Sequence, residues 1–137
     1  MKMALPIFFA AVLLSFLACQ REQSLAPGEN VSLQPTFTSI QKNILTPSCV
    51  NRGCHPPVGP MSLQEGVAYN NLVNQPSAYG IPRVDPGNAE NSALYLKVLG
   101  DVRVGGVQAR MPLGAGSLTT DEINAIRDWI NDGAKNN

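Results

Sequence analysis

One short stretch constrains this chain more than any other: residues 49–55, which read CVNRGCH. Two cysteines with a histidine directly after the second can hold a haem through two thioether bonds and an axial imidazole. The usual motif has two residues between the cysteines, whereas four separate Cys49 from Cys54 here. The adjacency of Cys54 and His55 is intact, and Gly53 can take the positive φ of a tight bend. We interpret the stretch as a c-type haem attachment motif with a lengthened loop.

Three other interpretations of the motif stay open. In an oxidising compartment Cys49 and Cys54 would pair as a disulfide, although so short a loop adds little stability by the entropy argument. A structural zinc site needs four ligands, and once Cys19 is set aside only Cys49, Cys54 and His55 remain as soft ligands. A pair of inert buried thiols is the least favoured. The motif favours haem c, one per chain and covalently attached.

A haem with one histidine ligand needs a second axial ligand or an open site. His55 is the only histidine, so bis-histidine ligation within this chain is excluded. Met61 is too near His55 in sequence to pass easily to the opposite face of the ring. Met111 lies far along the chain, and we predict it as the distal ligand rather than a gap-filling core residue. Arg103 and Arg110 are candidates for pairing with the haem propionates.

The first residues read as an export leader. Residues 1–18 have an early positive charge, an apolar run and a small residue at the end, which is typical of a signal peptide. Residues 15–19 resemble the lipobox of bacterial lipoproteins, although Phe16 stands where Leu is usual. This resemblance implies lipidation of Cys19, and Gln20 after it implies the outer membrane. The alternative is ordinary cleavage of the leader.

Lipidation would also explain the odd number of cysteines. The chain has three, and an odd count is unusual in an exported protein. If Cys19 carries lipid, the two that remain are the number that one haem uses. Residues 19–35 are polar and lack a sustained period, which predicts a flexible tether. We therefore predict a signal peptide over 1–18, a tether over 19–35 and one haem domain over 36–137.

Composition excludes some classes of partner. Lys+Arg 10 balance Asp+Glu 10, so no charge excess indicates binding to nucleic acid. The many glycines and prolines fall mostly between the periodic segments and predict a loop-rich fold. Few aromatic residues follow the leader, and a large apolar cofactor would complete the core of so small a domain.

Apolar spacing and capping signals predict a few short helices. The predicted helices cover Thr36–Thr46, Leu63 to about Val73, the stretch from Asn88 or Ser92 to Gly100, and the stretch from Thr119 to Gly133. Pro47 is expected to end the first helix, so that the cysteine motif follows as a loop. The last helix is the best marked, because Thr119 and Glu122 form a capping-box pattern.

The order of the cysteine motif, the Met111 segment and the predicted helices resembles that of class I cytochrome c. The resemblance covers about residues 35–134: a first helix, the Cys-His motif, the Arg110–Pro112 stretch and a last helix with an aromatic residue. More closely, the chain is similar to short cytochrome-c-like domains of exported bacterial proteins, which end like residues 128–134. The resemblance implies an all-α fold whose first and last helices pack around one haem, with Phe37 near Trp129. The longer cysteine gap is the departure from the family.

The expected function is that of a membrane-anchored monohaem cytochrome with His55 and Met111 as axial ligands. It would pass single electrons between redox partner proteins on the periplasmic side or at the cell surface. It would be a carrier and not an enzyme, although a subunit role in a larger oxidoreductase stays open. The main alternative is a haem-free, disulfide-stapled lipoprotein domain that binds a partner or serves a structural role. A haem enzyme or sensor lacks support, because no second histidine exists to act as acid or base.

Overall fold

The computed structural model describes residues 33–55 and 61–137. The predicted signal peptide over 1–18, the lipidation residue Cys19 and the tether up to residue 32 lie outside the described residues. Within the described ranges, no helix is both long enough and apolar enough to cross a membrane.

Helices form most of the described regular structure. The described residues contain four α-helical segments: α1 (Phe37–Ile40), α2 (Ala68–Leu72), α3 (Ala93–Leu99) and α4 (Thr120–Asn131). A π-helix, Gln41–Val50, continues α1 without a break, and three short 3₁₀ turns cover Ala89–Asn91, Val102–Val104 and Val107–Ala109. In the described part, β-structure is limited to isolated bridges that join Val73 to Val84 and Pro76 to Pro82. The predicted helical class is confirmed.

The first helix does not end at Pro47, and that prediction is wrong. The π-helix carries the chain through Pro47 to Val50. In an α-helix the proline ring would meet the carbonyl four residues back, but a π-helix bonds each N–H to the carbonyl five residues back. The Asn51 N–H, for example, donates to the Thr46 carbonyl at 2.9 Å. Cys49 therefore lies in the last helical turn and not in a loop.

The second helix begins later than its sequence predicts. Ser62 and Glu65 match a capping box, yet α2 begins at Ala68. Gly66 has φ +84, a left-handed conformation that a helix cannot include. Ser62 is instead buried, and its hydroxyl accepts from the Gln64 N–H at 3.4 Å. The polar pattern thus belongs to the turn that precedes the helix.

The last two helices follow their sequence signals closely. Gly100 ends α3 in the left-handed conformation, with φ 78, as the C-terminal glycine predicts. At the start of α4 the capping box is formed: the Thr119 N–H donates to the Glu122 carboxylate at 2.7 Å, and the Glu122 N–H donates to the Thr119 hydroxyl at 3.3 Å. The buried face of α4 consists of Ala125, Ile126, Trp129 and Ile130.

The first and last helices meet through aromatic rings, as the resemblance implies. The ring centroids of Phe37 and Trp129 lie 5.4 Å apart, and Tyr69 packs edge-on against Phe37 with centroids 5.1 Å apart. Hydrogen bonds reinforce this contact, because the Thr38 N–H donates to the Asn137 carbonyl at 2.8 Å. The Tyr69 hydroxyl donates to the Ala134 carbonyl at 2.9 Å. Two chain segments far apart in sequence are thereby joined into one core.

The capping box yields a stability prediction. Replacing Thr119 with Ala removes the acceptor of the Glu122 N–H, and we expect the free energy of unfolding to fall by about 1 kcal/mol. Thr120→Ala is the matched control, since that residue lies one position inside the helix and does not cap it. Urea unfolding followed by Trp129 fluorescence measures both variants. Equal stability of the two would show that the cap contributes nothing.

Candidate functional site

A cavity of about 360 Å³ opens between the π-helix, α2, α3 and the chain around Met111. Its volume is within the range of small-molecule and cofactor sites. Most of its surface is apolar, and the described lining residues are Cys49, His55, Met61, Leu63, Leu72, Ser77, Ala78, Tyr79, Arg83, Ala93, Leu94, Lys97, Val98, Met111 and Pro112. We call this space the central cavity.

The central cavity brings together three of the four predicted haem-binding residues. Cys49, His55 and Met111 line it, although Met111 is 56 residues beyond His55 in the printed sequence. Cys54 is exposed and is not one of the described lining residues; its Sγ lies 3.7 Å from the Arg52 carbonyl oxygen. Both cysteines are free thiols. The lipidation residue Cys19 lies outside the described residues.

The end of the π-helix fixes the place of Cys49. The thiol is half-buried at the cavity, and burial raises its pKa to about 11, with the nearby Cys54 adding to the shift and Arg52 opposing it. The cause is that the thiolate loses hydration in apolar surroundings. The Cys49 side chain is therefore a neutral thiol at neutral pH. Its backbone carbonyl accepts from the His55 N–H at 3.2 Å, which ties the two residues together.

The turn between the cysteines depends on one glycine. The Gly53 N–H donates to the Val50 carbonyl at 2.8 Å, and Gly53 has φ 75. A side chain at this position would be strained in the left-handed region. This agrees with the tight bend expected before Cys54 and shows how four residues between the cysteines are accommodated.

The imidazole of His55 is oriented by a backbone carbonyl. Its Nδ1 lies 3.0 Å from the Met61 carbonyl oxygen. Because a carbonyl can only accept, this hydrogen bond requires a proton on Nδ1, and in the neutral ring the lone pair is then on Nε2. Metal-bound histidines commonly have this arrangement, in which the second ring nitrogen donates to a carbonyl. His55 is thus held in the tautomer that can ligate a metal through Nε2.

The two methionines at the cavity are anchored differently. The Met61 backbone is held to His55 through its carbonyl, and its side chain is 40% exposed. Met111 is anchored to a different element, because its N–H donates to the Lys97 carbonyl in α3 at 3.0 Å. The structure therefore holds the Met61 backbone beside His55 and holds the Met111 backbone on α3.

Two cations line the cavity that sequence reasoning missed. Arg83 and Lys97 are lining residues, and no Asp or Glu is present in the described lining. The Lys97 Nζ lies 4.9 Å from the centroid of the Tyr79 ring, within the range of a cation–π contact. An Nη1 N–H of Arg83 donates to the Asn71 carbonyl at 2.7 Å. An apolar cavity with two positive charges suits a flat apolar ligand that carries carboxylates.

The arginines chosen from sequence are placed elsewhere. Arg103 is exposed and pairs with Asp101 at 2.9 Å and with Glu90 at 3.7 Å. Its guanidinium lowers the pKa of the Asp101 carboxyl to about 2. Neither Arg103 nor Arg110 is among the described lining residues of the central cavity. No local sequence pattern marks Arg83 or Lys97. The two side chains line one cavity only because α3 packs against the loop before it.

A multidentate site of the zinc type is not seen in the described ranges. Within residues 33–55 and 61–137, no three His, Cys, Asp or Glu side chains are grouped as ligands of one metal ion would be.

Comparison of the chain with protein-family models, curated protein sequences and solved structures gave no match.

The neutral state of Cys49 predicts slow thiol chemistry. In the Cys54→Ser variant made without attached haem, we expect iodoacetamide to react with Cys49 at least about tenfold more slowly in the folded than in the urea-unfolded chain at pH 8, because only the thiolate reacts. The folded-state rate should rise with pH into the alkaline range, because burial still raises the pKa of the Cys49 thiol when Cys54 is absent. Mass spectrometry of timed samples gives both rates. Equal rates at pH 8 would contradict the burial of this thiol.

Proposed function

We propose that this chain is an exported, membrane-anchored monohaem c-type cytochrome that carries single electrons. The observation that carries the proposal is that Cys49, His55 and Met111 line one largely apolar cavity. A thiol, an imidazole and a thioether are the donor set of a haem c with His/Met ligation. The residues of the central cavity therefore fit this cofactor.

Covalent attachment would use both cysteines of the motif. Cys49 lines the cavity at the end of a helix, whereas Cys54 lies in an exposed turn. The turn over residues 51–54 is exposed throughout, so it can rearrange without loss of core contacts. Cys49 would provide the fixed attachment point and Cys54 the adjustable one, which explains how a longer loop between the cysteines is tolerated.

His55 and Met111 would be the axial ligands. The His55 Nδ1–H bond to the Met61 carbonyl leaves Nε2 free for the iron and holds the ring in place. A thioether ligand favours ferrous iron and raises the reduction potential relative to bis-histidine ligation. When bound, haem c supplies reversible one-electron chemistry. With both axial positions filled, the protein would transfer electrons rather than turn over oxygen, so we propose a carrier and not an enzyme.

The cavity charges support the same cofactor. Haem carries two propionate carboxylates, and Arg83 and Lys97 line the cavity without an acidic residue in the described lining. Carboxylates pair with such groups more strongly where water is largely excluded. We propose Arg83 as a propionate partner in place of Arg103 and Arg110, whereas the Lys97 Nζ donates to the Ala109 carbonyl.

The location completes the proposal. A lipid on Cys19 would anchor the chain to the membrane, most simply the outer membrane, and residues 19–35 would separate the domain from the lipid surface. The domain would then face the periplasm or the cell exterior, where it meets redox partner proteins. Docking on a larger oxidoreductase as an electron-transfer subunit would use the same chemistry.

One experiment tests the cofactor directly. The chain is exported from a host with cytochrome c maturation machinery, and its absorption spectrum is recorded before and after acidic organic extraction. We expect a reduced c-type spectrum that stays with the polypeptide, and a mass increased by one haem. The Cys49→Ser, Cys54→Ser double variant is the control and should lose the colour on extraction. A colourless protein with these cysteines bridged would overturn the proposal in favour of a disulfide-stapled module.

Met111 gives a second prediction. In Met111→Ala, haem should stay attached, the reduction potential should fall, and the ferric iron should bind added imidazole at least about a hundredfold more tightly. The reason is that imidazole no longer competes with a protein ligand. Potentiometric and imidazole titrations measure these changes.

Met61→Ala is the matched control for that experiment. Met61 lines the same cavity, but its backbone is held beside His55. We expect its potential and imidazole affinity to stay close to those of the unmodified protein. The reverse pattern, with Met61→Ala opening the iron and Met111→Ala leaving it unchanged, would remove Met111 from the ligand set.

A further inference from the structure

One residue of α3 holds the loop that carries Met111 at two points. We define residues 105–111 as the Met111 loop. The Lys97 backbone carbonyl accepts from the Met111 N–H at 3.0 Å, and the Lys97 Nζ donates to the Ala109 carbonyl at 3.2 Å. Backbone and side chain of one residue thus bind two nearby positions of the same loop.

The end of α3 explains why these bonds form. The last carbonyls of a helix lack donors within the helix. In α3 the Leu96 carbonyl accepts from the N–H groups of Gly100 and Asp101, both at 3.0 Å, and the Lys97 carbonyl accepts from Met111. A positive side chain in the last helical turn is also favoured by the helix dipole. The Met111 loop therefore supplies an N–H donor for a carbonyl in the last turn of α3.

The contact between the loop and α3 is close. A Cβ on Gly100 would lie 3.1 Å from the Arg110 Cδ and from the Val107 Cα, and a Cβ on Gly105 would lie 3.8 Å from the Lys97 Nζ. The Lys97 side chain is half-buried, and its Nζ is also 4.9 Å from the centroid of the Tyr79 ring. The ammonium group is therefore confined between an aromatic face and the loop.

We infer that Lys97 is a positioning residue for Met111: its side chain keeps the Met111 loop on α3, so that the thioether stays at the central cavity. The inference rests on the proposed function, in which Met111 ligates the iron. Lys97 acts through Ala109 and not by contact with the iron. Without its ammonium, Lys97 keeps one hydrogen bond to the loop, from the Met111 N–H, and the loop then leaves α3 more readily.

Imidazole binding to the ferric, covalently loaded protein tests this inference. Lys97→Leu keeps the backbone bond and the apolar stem but removes the ammonium group. We expect about a tenfold gain in imidazole affinity, which corresponds to about 1.4 kcal/mol, together with a weaker red absorption band from methionine sulfur bound to ferric iron. Lys97→Arg keeps a charged donor and should restore both readouts. Lys42→Leu, at an exposed lysine of the π-helix, is the control for lost charge and should change neither.

Met111→Ala in the same titration separates the two possible failures. If Met111→Ala binds imidazole tightly while Lys97→Leu matches the unmodified protein, the role of Lys97 is overturned and the proposed function stands. If Met111→Ala itself leaves imidazole binding unchanged, the axial assignment in the proposed function fails. A Lys97→Leu effect that Lys97→Arg does not rescue would also overturn the positioning role, because it would not depend on the ammonium group.

Discussion

The packing of Phe37 between Tyr69 and Trp129 holds the described domain together. These rings join α1, α2 and α4, and each of the two outer residues also donates a hydrogen bond to the chain after α4: Tyr69 to Ala134 and Trp129 to Lys135. Edge and tilted contacts of this kind add to the hydrophobic gain of burying the rings. The π-helix continues directly from α1. The packing of Phe37 against Tyr69 and Trp129 therefore also fixes the position of Cys49 at the end of the π-helix. The position of the first cysteine therefore depends in part on α1 and α4, neither of which has a residue in the described lining of the central cavity.

The two cysteines of the motif have different environments, and this difference follows from the helix. Cys49 belongs to the last helical turn, so its position is determined by backbone hydrogen bonds and by burial. Cys54 follows a turn that needs the positive φ of Gly53, and its side chain is exposed. If the two cysteines hold one haem, as we propose, a fixed residue and an adjustable one could together reach its two attachment points even with four residues between them. Of the four residues between the cysteines, Val50 ends the π-helix, and residues 51–53 lie in the turn before Cys54.

Sequence reasoning succeeded where the signal is local. The capping box at Thr119 and the glycine at position 100 act on neighbouring backbone groups, so α3 and α4 have the expected ends. It failed at Pro47, where a π-helical register lets the helix continue through the proline, and at Gly66, where a left-handed backbone angle delays the start of α2. Cys49, His55 and Met111 were selected by their chemistry, and the structure brings them to one cavity. Arg83 and Lys97 were missed, because no local sequence pattern shows which Lys and Arg side chains line a cavity in the folded chain.

The bond between Phe37 and Asn137 links residues that are 100 positions apart. Contacts so distant in sequence form late, since the entropy of closing the long loop opposes them until both segments are present. During synthesis, which proceeds from the N-terminus, residues 49–55 emerge well before α4 can dock. For that interval the cysteines and His55 belong to an open chain. If the chain receives haem as proposed, this order of emergence would expose the motif to the thioether-forming enzymes before the folded domain buries Cys49.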